Sequence, residues 1–335
     1  MTVRPTMRDV AASAGVSLKT VSRVVNDEPS VRQETARRVR SAIERLGFVP
    51  NELASGLRAG RAGALGLVIE DLGNPFYSSI ARVIEDLARE RGHLLLIGSC
   101  GEDPVRERDL VMRFLRRAVD ALLLVPAGDD HRYLLNELGD GGVPIVAIDR
   151  PVQGITVDTV LADNRGGARL AAEHLLAQGH ERIAALVDTQ AIWTARERLA
   201  GYREALGAAG VDVHPELIRS ELVDTAGAQA ATEELLRLPP DRRPTALFTA
   251  NNRITVGALK AMRAAGRQPA VVGFDDFELA EMLATPITVV RQPPAVLGRL
   301  AAEAAYARLD DPSHLPRQQI VTCQLVVRGS GEVPR

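Results

Sequence analysis

The sequence predicts a small all-α helix-turn-helix head followed by an α/β body of two doubly wound lobes with parallel sheets. Three observations predict this architecture. Residues 6–46 carry only helical spacing and turn signals, unbroken apolar runs of strand length begin at Ala64, and helical stretches separate these runs. With 335 residues, 46% of them apolar, the chain is long enough to bury two or three separate cores.

Residues 6–26 are predicted to form two short helices around a tight turn. Thr6 can cap the first helix, with Asp9 three residues later as its capping-box partner. Gly15 can adopt the positive φ that the turn needs, and Ser17 is a good cap for the second helix.

The second helix, predicted over residues 18–25, has two distinct faces. Val21, Val24 and Val25 recur at helical spacing and are expected to pack inward. The outward side chains are Leu18, Lys19, Ser22 and Arg23. A short helix that presents two cations and a hydroxyl suits the DNA major groove, and the alternative is a helical hairpin with a solvated basic face.

Two more helices are predicted before the body begins. A third helix covers about residues 32–46, stops at Gly47 and closes a small core against the first two. Residues 51–59 follow a proline and place Ala54 and Leu57 on one face of a short helix. So short a helix is unstable alone, and a plain interdomain linker is the alternative interpretation of this stretch.

Charge is divided unevenly along the chain, although the net charge is only −2. Residues 1–61 contain 11 Lys and Arg against 6 Asp and Glu, a balance of +5. The remaining residues contain 30 against 37, a balance of −7. A basic head on an acidic body predicts DNA binding that weakens as salt is added.

Composition and spacing argue against several classes of protein. No run of about 18 apolar residues is present and no hydrophobic signal segment precedes the first helix, which predicts a cytoplasmic protein that stays out of the membrane. The two cysteines, Cys100 and Cys323, are far apart, and the six histidines lack metal-ligand spacing. We therefore expect no metal site, no structural disulfide and no cofactor.

The body is predicted to contain two successive sets of buried parallel strands. The first set comprises residues 64–70, 93–99, 120–126 and 143–149, with helical spacing near 80–87, 110–115 and 133–138. The second comprises 182–188, 245–251 and 270–276, with 286–292 and 319–328 in the tail and helices near 165–178, 195–209, 226–237, 253–265 and 294–309. The predicted boundaries are 1–49 for the helix-turn-helix domain, 50–61 for the hinge helix and linker, and 62–335 for the body, with lobe one at about 62–162 and 292–323 and lobe two at about 163–291 and 324–335.

Polar and aromatic side chains follow several predicted strands, at the edge where the loops of parallel sheets meet a ligand. These side chains, with two more from the start of a helix, are Asn74, Phe76, Tyr77, Asp149, Arg150, Trp193, Arg198, Asn251, Asp275 and Gln292. Together, two carboxylates, two guanidinium groups, amides and aromatic faces suit a polyhydroxylated ligand. Singly, each can be an ordinary loop or capping residue.

The phrase DVAASAGVSLKTVSRVVN, followed by a third helix and by FVPN at 48–51 with Leu57 beyond, closely resembles the DNA-binding region of the LacI/GalR family of bacterial transcription regulators. The resemblance implies a homodimer that binds a palindromic operator on double-stranded DNA. The side chains that it places on DNA are Leu18, Lys19 and Arg23 in the major groove, Thr6, Ser17, Thr20, Ser22 and Asn26 at the backbone, and Ala54 and Leu57 of a hinge helix in the minor groove.

The two-lobed body resembles the periplasmic sugar-binding proteins whose fold, periplasmic binding protein type I, forms the effector domain of that family. The resemblance makes Phe76 and Tyr77 stacking aromatics and makes Asp149 and Arg150 paired hydroxyl contacts. It implies a repressor whose effector is a monosaccharide such as ribose or its phosphate, with a purine as the alternative. Asn252 departs from the family pattern, in which Asp is common, and leaves the local hydrogen bonding open.

Two functions from other classes fit the sequence less well. An α/β enzyme that acts on sugars or nucleotides needs a catalytic or phosphate-binding motif, and no P-loop, GxSxG, GxGxxG or HExxH pattern is present. A sugar-binding transport component needs a signal segment and has no use for a DNA-binding head. The sequence therefore predicts a ligand-controlled regulator and not an enzyme.

Overall fold

A computed structural model describes residues 5–25, 28, 30–48, 63–117, 119–137 and 142–334. The chain divides into two compact units, with the division between Gly63 and Ala64. The hinge helix predicted over residues 51–59, with Ala54 and Leu57, lies outside the described residues, as does Asn26. No helix in the described part of the chain is long and apolar enough to cross a bilayer.

The described residues of the head form three α-helices, the first two of which begin at the predicted caps. They are α1 (Met7–Ala14), α2 (Leu18–Val25) and α3 (Gln33–Leu46). The Thr6 hydroxyl accepts a hydrogen bond from the Asp9 amide at 3.4 Å, and the Thr6 amide donates to the Asp9 carboxylate at 2.7 Å, which confirms the capping box. The Ser17 hydroxyl accepts from the Thr20 amide at 3.2 Å.

A small apolar core holds the three helices of the head together. Val10 of α1, Val21 of α2 and Val39 of α3 are fully buried, and Phe48 closes the core after α3. Gly15, at φ 64°, turns the chain between α1 and α2. Because burying each large apolar side chain contributes about 1.5–3 kcal/mol, these contacts fix the orientation of α2 and leave its other face outward.

The first lobe of the body is a six-stranded parallel sheet with helices on both faces. Its strands are β1 (Ala64–Ile69), β2 (Leu94–Ser99), β3 (Ala121–Leu124), β4 (Ile145–Ile148), β5 (Asp158–Ala162) and β11 (Gln318–Val321), in the spatial order β11-β5-β4-β3-β1-β2. Its helices are α4 (Pro75–Glu90), α5 (Pro104–Arg116) and α10 (Pro294–Asp310). Alternate residues of β1 bury opposite faces: Leu65 and Leu67 share a core with Ile80 of α4, and Val68 packs with Val111 of α5.

The second lobe repeats this arrangement. Its strands are β6 (Ile183–Leu186), β7 (Ile218–Arg219), β8 (Ala246–Thr249), β9 (Ala270–Phe274), β10 (Thr288–Arg291) and β12 (Gln324–Val326), in the order β12-β10-β9-β8-β6-β7. Its helices are α6 (Asn164–Ala177), α7 (Trp193–Ala208), α8 (Thr225–Arg237) and α9 (Asn252–Ala265). All strand pairs are parallel except β10 with β12.

The chain passes between the two sheets three times. The first passage follows β5, the second follows β10, and the third lies between β11 and β12. The two halves of the body are therefore joined by three short segments, and polar residues that follow strands of both sheets line one cleft.

Three features of the body differ from the sequence prediction. The run 319–328 forms two strands in different sheets, because the chain crosses between lobes at Thr322 and Cys323. Strands β5 and β7 were not predicted, since β7 has only two residues and each strand includes a charged residue. The helical spacing near 133–138 corresponds to a 3-10 segment, Arg132–Glu137, and not to an α-helix.

Candidate functional site

Nine of the ten side chains predicted for ligand binding line a single cavity between the lobes. They are Asn74, Phe76, Tyr77, Asp149, Arg150, Arg198, Asn251, Asp275 and Gln292. Trp193 is the exception: it begins α7 without lining the cavity, whose wall there consists of Ile192, Thr194 and Ala195. The enclosed space is about 50 Å³, enough for a few water molecules.

Local backbone geometry aims four of these side chains. Asp149 directly follows β4, and Asp275 directly follows β9. Their φ angles are 67° and 68°, a left-handed conformation that Asp tolerates better than most residues. Asn74 caps α4 through the Phe76 amide at 3.1 Å. Asn251 caps α9 in the same way and also donates to the Asp188 carboxylate at 3.1 Å. Capping and cavity lining are therefore combined in the same residues.

Arg150 lies at the first-lobe side of the cavity and is 5% exposed. Its Nη1 donates to Glu102 Oε2 at 2.6 Å and to the Pro126 carbonyl at 3.1 Å. Its Nη2 donates to Glu102 Oε1 at 2.5 Å and to the Tyr77 hydroxyl at 3.3 Å. Tyr77 in turn donates to Asp149 Oδ2 at 3.4 Å, so the first-lobe wall is one connected polar network.

Arg198 organises the second-lobe wall. Its Nε donates to Asn164 Oδ1 at 2.7 Å, its Nη1 donates to the Ala250 carbonyl at 2.6 Å, and its guanidinium carbon lies 3.9 Å from the centre of the Phe274 ring. It also approaches Asp275 Oδ2 at 3.5 Å. Gln292, on the second passage between lobes, donates to the other Asp275 oxygen at 2.5 Å, which ties the crossover to this wall.

Contacts across the cleft involve residues that the sequence prediction missed. Arg253 of lobe two donates to Glu70 Oε1 at 2.9 Å and to Asp71 Oδ2 at 2.8 Å in lobe one. Asn252, beside it, donates to Asn74 Oδ1 at 3.2 Å. Glu70, Asp188 and Arg253 all follow strand ends, as do eight of the nine predicted residues, so the same rule identifies them when it is applied to every strand. Glu102 also follows a strand end, since it lies in the loop after β2, where its φ is 59°.

Three buried polar atoms at the cavity have no hydrogen-bond partner among the described residues: Asp149 Oδ1, Arg150 Nε and Gln292 Oε1. Their residues are 2%, 5% and 3% exposed. Leaving such a group unpaired costs about 1–3 kcal/mol. A bound molecule with hydroxyl groups can donate to the two oxygens and accept from the one nitrogen.

Carboxylates in the cleft lie in an unfavourable environment for their charge. Burial raises the pKa of Asp149 and the pKa of Asp188 above their ordinary values. Burial, reinforced by the carboxylate of Glu102, raises the pKa of Glu70 from 4.5 to about 7, against the opposing effect of Arg253 and Arg150. Desolvation and mutual repulsion thus outweigh the ion pairs at Glu70.

Lowering the pH is expected to stabilise the wild-type protein relative to Glu70→Gln. Since the folded-state pKa of Glu70 is raised to about 7 from an unfolded value near 4.5, the favourable contribution of protonated Glu70 is complete below pH 4.5 and is lost as the pH rises to about 7. The difference in unfolding free energy should change by up to about 1.4 kcal/mol per pH unit in this window. Melting temperatures of both proteins from pH 5 to 8 measure it, and a constant difference would contradict it.

In the head, some of the predicted DNA-facing side chains are exposed, and others make contacts within the head. Leu18 is 46% exposed and Lys19 is also exposed at the start of α2. Ser22 is half-buried, and so is Arg23, whose Nε lies 3.4 Å from the Glu28 carboxylate. The hydroxyls of Thr6, Ser17 and Thr20 take part in the two caps described above. The first turn of α2 therefore presents its side chains most openly.

Comparison with known proteins finds a matching family in each of the two compact units. Residues 6–51 match the model of bacterial regulatory proteins of the lacI family, and residues 172–331 match a periplasmic binding protein-like domain. The transcriptional regulator CelR of Thermobifida fusca is 35% identical over 98% of this chain and 98% of its own length. The chain belongs to the LacI family.

Further relatives of this LacI-family chain have the same full-length correspondence. The ribose operon repressor of Escherichia coli strain K12 is 33% identical over 97% of this chain and 99% of its own length. Among solved structures, a lac repressor dimer bound to operator and the anti-inducer ONPF has a TM-score of 0.86 at 26% identity, covering 99% of this chain and all of that one. A CelR–cellobiose complex has a TM-score of 0.72 at 34% identity, covering 98% of this chain and all of that one.

The predicted family and fold class are thereby confirmed. The LacI-family chain is a DNA-binding transcriptional regulator, and the relatives named above are regulators, not enzymes. The predicted cleft and DNA-facing residues remain predictions at the level of individual side chains.

Proposed function

We propose that the protein is a repressor that binds a palindromic operator as a homodimer in the bacterial cytoplasm and whose operator affinity is set by a small polyhydroxylated effector in the cleft. The effector is a monosaccharide such as ribose or its phosphate, or a short sugar of the same chemistry. The observation that carries the proposal is the set of unpartnered atoms of Asp149, Arg150 and Gln292 around a cavity lined by both lobes.

Two relatives support a sugar. One carries the name ribose operon repressor, and the other relative, CelR, has a solved complex with cellobiose. The chemistry of the cleft agrees, because carboxylate and amide oxygens accept from hydroxyl groups while the ring of Phe76 can pack against sugar C–H surfaces.

Effector binding is proposed to alter the angle between the lobes. The contacts of Arg253 with Glu70 and Asp71 join the lobes across the cleft, so a change of this angle requires those contacts to rearrange. A ligand shifts such an equilibrium only by its different affinity for the two states. The hinge residues 51–59 would transmit the change to the two heads of a dimer.

The homodimer is supported by the edge of the first sheet. Strand β2 is one of the two edge strands of the described sheet, and its Leu94 and Ile97 are 67% and 39% exposed. Exposed apolar side chains on an edge strand favour association with another surface. The similar lac repressor structure is a dimer on its operator.

A thermal-shift screen tests the proposed effector. The full chain is heated with pentoses, hexoses, cellobiose, sugar phosphates and purines, and a ligand present at 100 times its Kd adds about 2.7 kcal/mol of stability. Stabilisation by a sugar is expected. Stabilisation by a purine alone would replace the sugar with the alternative effector class.

Substituting Arg23→Ala is expected to weaken operator binding by about 1–3 kcal/mol and to relax base preference at one position of each half-site, because a guanidinium reads a base edge in the major groove. Anisotropy titrations compare an operator selected from random duplexes with unselected DNA. Equal losses on both DNAs would show that Arg23 contacts phosphate only.

A further inference from the structure

We propose that Glu102 is a specificity-determining residue. Because it is the counter-ion of Arg150, it makes the cleft select uncharged polyhydroxylated ligands over their phosphorylated or carboxylated forms. The proposal rests on the proposed function, since it assumes that the cleft binds the effector. It narrows that function by removing sugar phosphates from the candidate effectors.

The donors of Arg150 are almost fully used inside the protein. A guanidinium has five N–H groups, and the four on Nη1 and Nη2 donate to both Glu102 oxygens, to the Pro126 carbonyl and to the Tyr77 hydroxyl. Only the Nε hydrogen of Arg150 has no hydrogen-bond partner in the described chain, and Nε lies 3.5 Å from Asp149 Oδ2. Phosphates and carboxylates are best bound by a two-pronged fork of N–H donors. An anionic ligand that takes the fork of Arg150 must therefore displace Glu102, whereas one hydroxyl oxygen can take the remaining hydrogen.

The position of Glu102 is built into the loop before α5. Glu102 has φ 59°, a left-handed conformation that is uncommon outside glycine. Backbone of this kind is maintained only where surrounding contacts hold it, and it is concentrated at binding sites. Here the contacts are the two short hydrogen bonds to Arg150, whose side chain is 7% exposed.

The other two arginines of the cavity also have carboxylate partners. Arg253 contacts Glu70 and Asp71, and Arg198 contacts Asp275 while donating to Asn164 and the Ala250 carbonyl. Four carboxylates line the described cavity, those of Glu70, Asp149, Asp188 and Asp275, against three guanidinium groups. With Glu102 and Asp71 behind them, the acidic groups outnumber the cations, so the cleft repels an anion.

Two of the helix N-termini at the described cavity, those of α4 and α9, are capped by side chains. The amide of Phe76 at the start of α4 donates to Asn74, and the amide of Ile254 at the start of α9 donates to Asn251. Amides of this kind bind anions in other proteins. In this cleft side-chain oxygens occupy the capped amides of α4 and α9, whereas α7, whose Thr194 and Ala195 line the cavity, begins without a side-chain cap.

Calorimetric titration of the full chain at pH 7.5 with three matched sets of ligands tests the proposal. The sets are D-ribose with D-ribose 5-phosphate, D-glucose with D-glucose 6-phosphate, and cellobiose with inorganic phosphate as competitor. We expect the uncharged member of the responding set to bind at least 100-fold more tightly than the ester, and phosphate not to compete. In Glu102→Gln the ratio should fall at least tenfold, mainly because the ester binds more tightly. Glu204→Gln, which removes an exposed carboxylate paired with Arg165, should leave the ratio unchanged.

The outcomes separate this proposal from the proposed function. An ester that binds wild-type protein as tightly as its sugar overturns the selectivity and leaves the effector cleft intact. Equal weakening of sugar and ester in Glu102→Gln also overturns it, because that result indicates a merely structural role for the loop. Failure of every compound to bind, charged or uncharged, overturns the sugar-binding function and the selectivity with it.

Discussion

Replacing Arg198 with alanine is expected to abolish effector binding and to lower the free energy of unfolding of the body by about 3–5 kcal/mol. The Arg198 side chain is buried, and its loss leaves Asp275 facing the cavity without its cation and leaves Asn164 Oδ1 without its donor. The ring of Phe274 also loses the guanidinium stacked on it. Calorimetry with the sugar found in the screen and denaturant titration measure the two effects.

Arg203→Ala is the matched control for this variant. Arg203 lies on the same helix, α7, and its side chain is exposed, so its removal should change stability by no more than about 0.5 kcal/mol and leave the effector Kd unchanged. Normal effector binding by a folded Arg198→Ala protein would show that the second-lobe wall has been assigned wrongly.

Asp149→Asn is expected to change stability and affinity in opposite directions. Burial raises the pKa of Asp149, which means that the folded protein disfavours the ionised carboxylate. The neutral isostere removes that cost and keeps a residue that tolerates φ 67°, so the ligand-free protein should gain about 1 kcal/mol. The effector loses a charge-assisted hydrogen bond of about 1.5–3 kcal/mol, which corresponds to about 10- to 150-fold in Kd.

The control for this prediction is Asp212→Asn, because Asp212 is an exposed carboxylate outside the cavity. Neither its melting temperature nor its effector Kd should move appreciably. A less stable Asp149→Asn protein that binds the effector normally would contradict both halves of the prediction.

Local rules in the sequence predicted most of the head and most of the cleft. The capping box of Thr6 and Asp9 depends on three-residue spacing alone, so tertiary structure was not needed to find it. The cleft residues were found because parallel strands bring their carboxyl ends together, which places Tyr77 beside Asp149 and Asp275 beside Gln292.

Contacts between distant loops were beyond those rules. The bidentate pair of Glu102 and Arg150 joins the loops after β2 and β4, and the position of strand ends does not specify which side chains of those loops pair. The ion pair of Arg253 with Glu70 depends on how far the lobes close. Trp193 was placed by its aromatic character, whereas the orientation of the first turn of α7 brings Thr194 and Ala195 to the cavity instead.

The central claim is that occupation of the cleft and binding of the operator are energetically coupled. The most direct test measures the Kd of the effector sugar for the full chain, free and saturated with operator duplex. Coupling requires the two values to differ, by about 5- to 150-fold for a typical regulator, and requires the operator Kd to change by the same factor when the sugar is saturating. Identical sugar affinities in the presence and absence of operator would contradict the account.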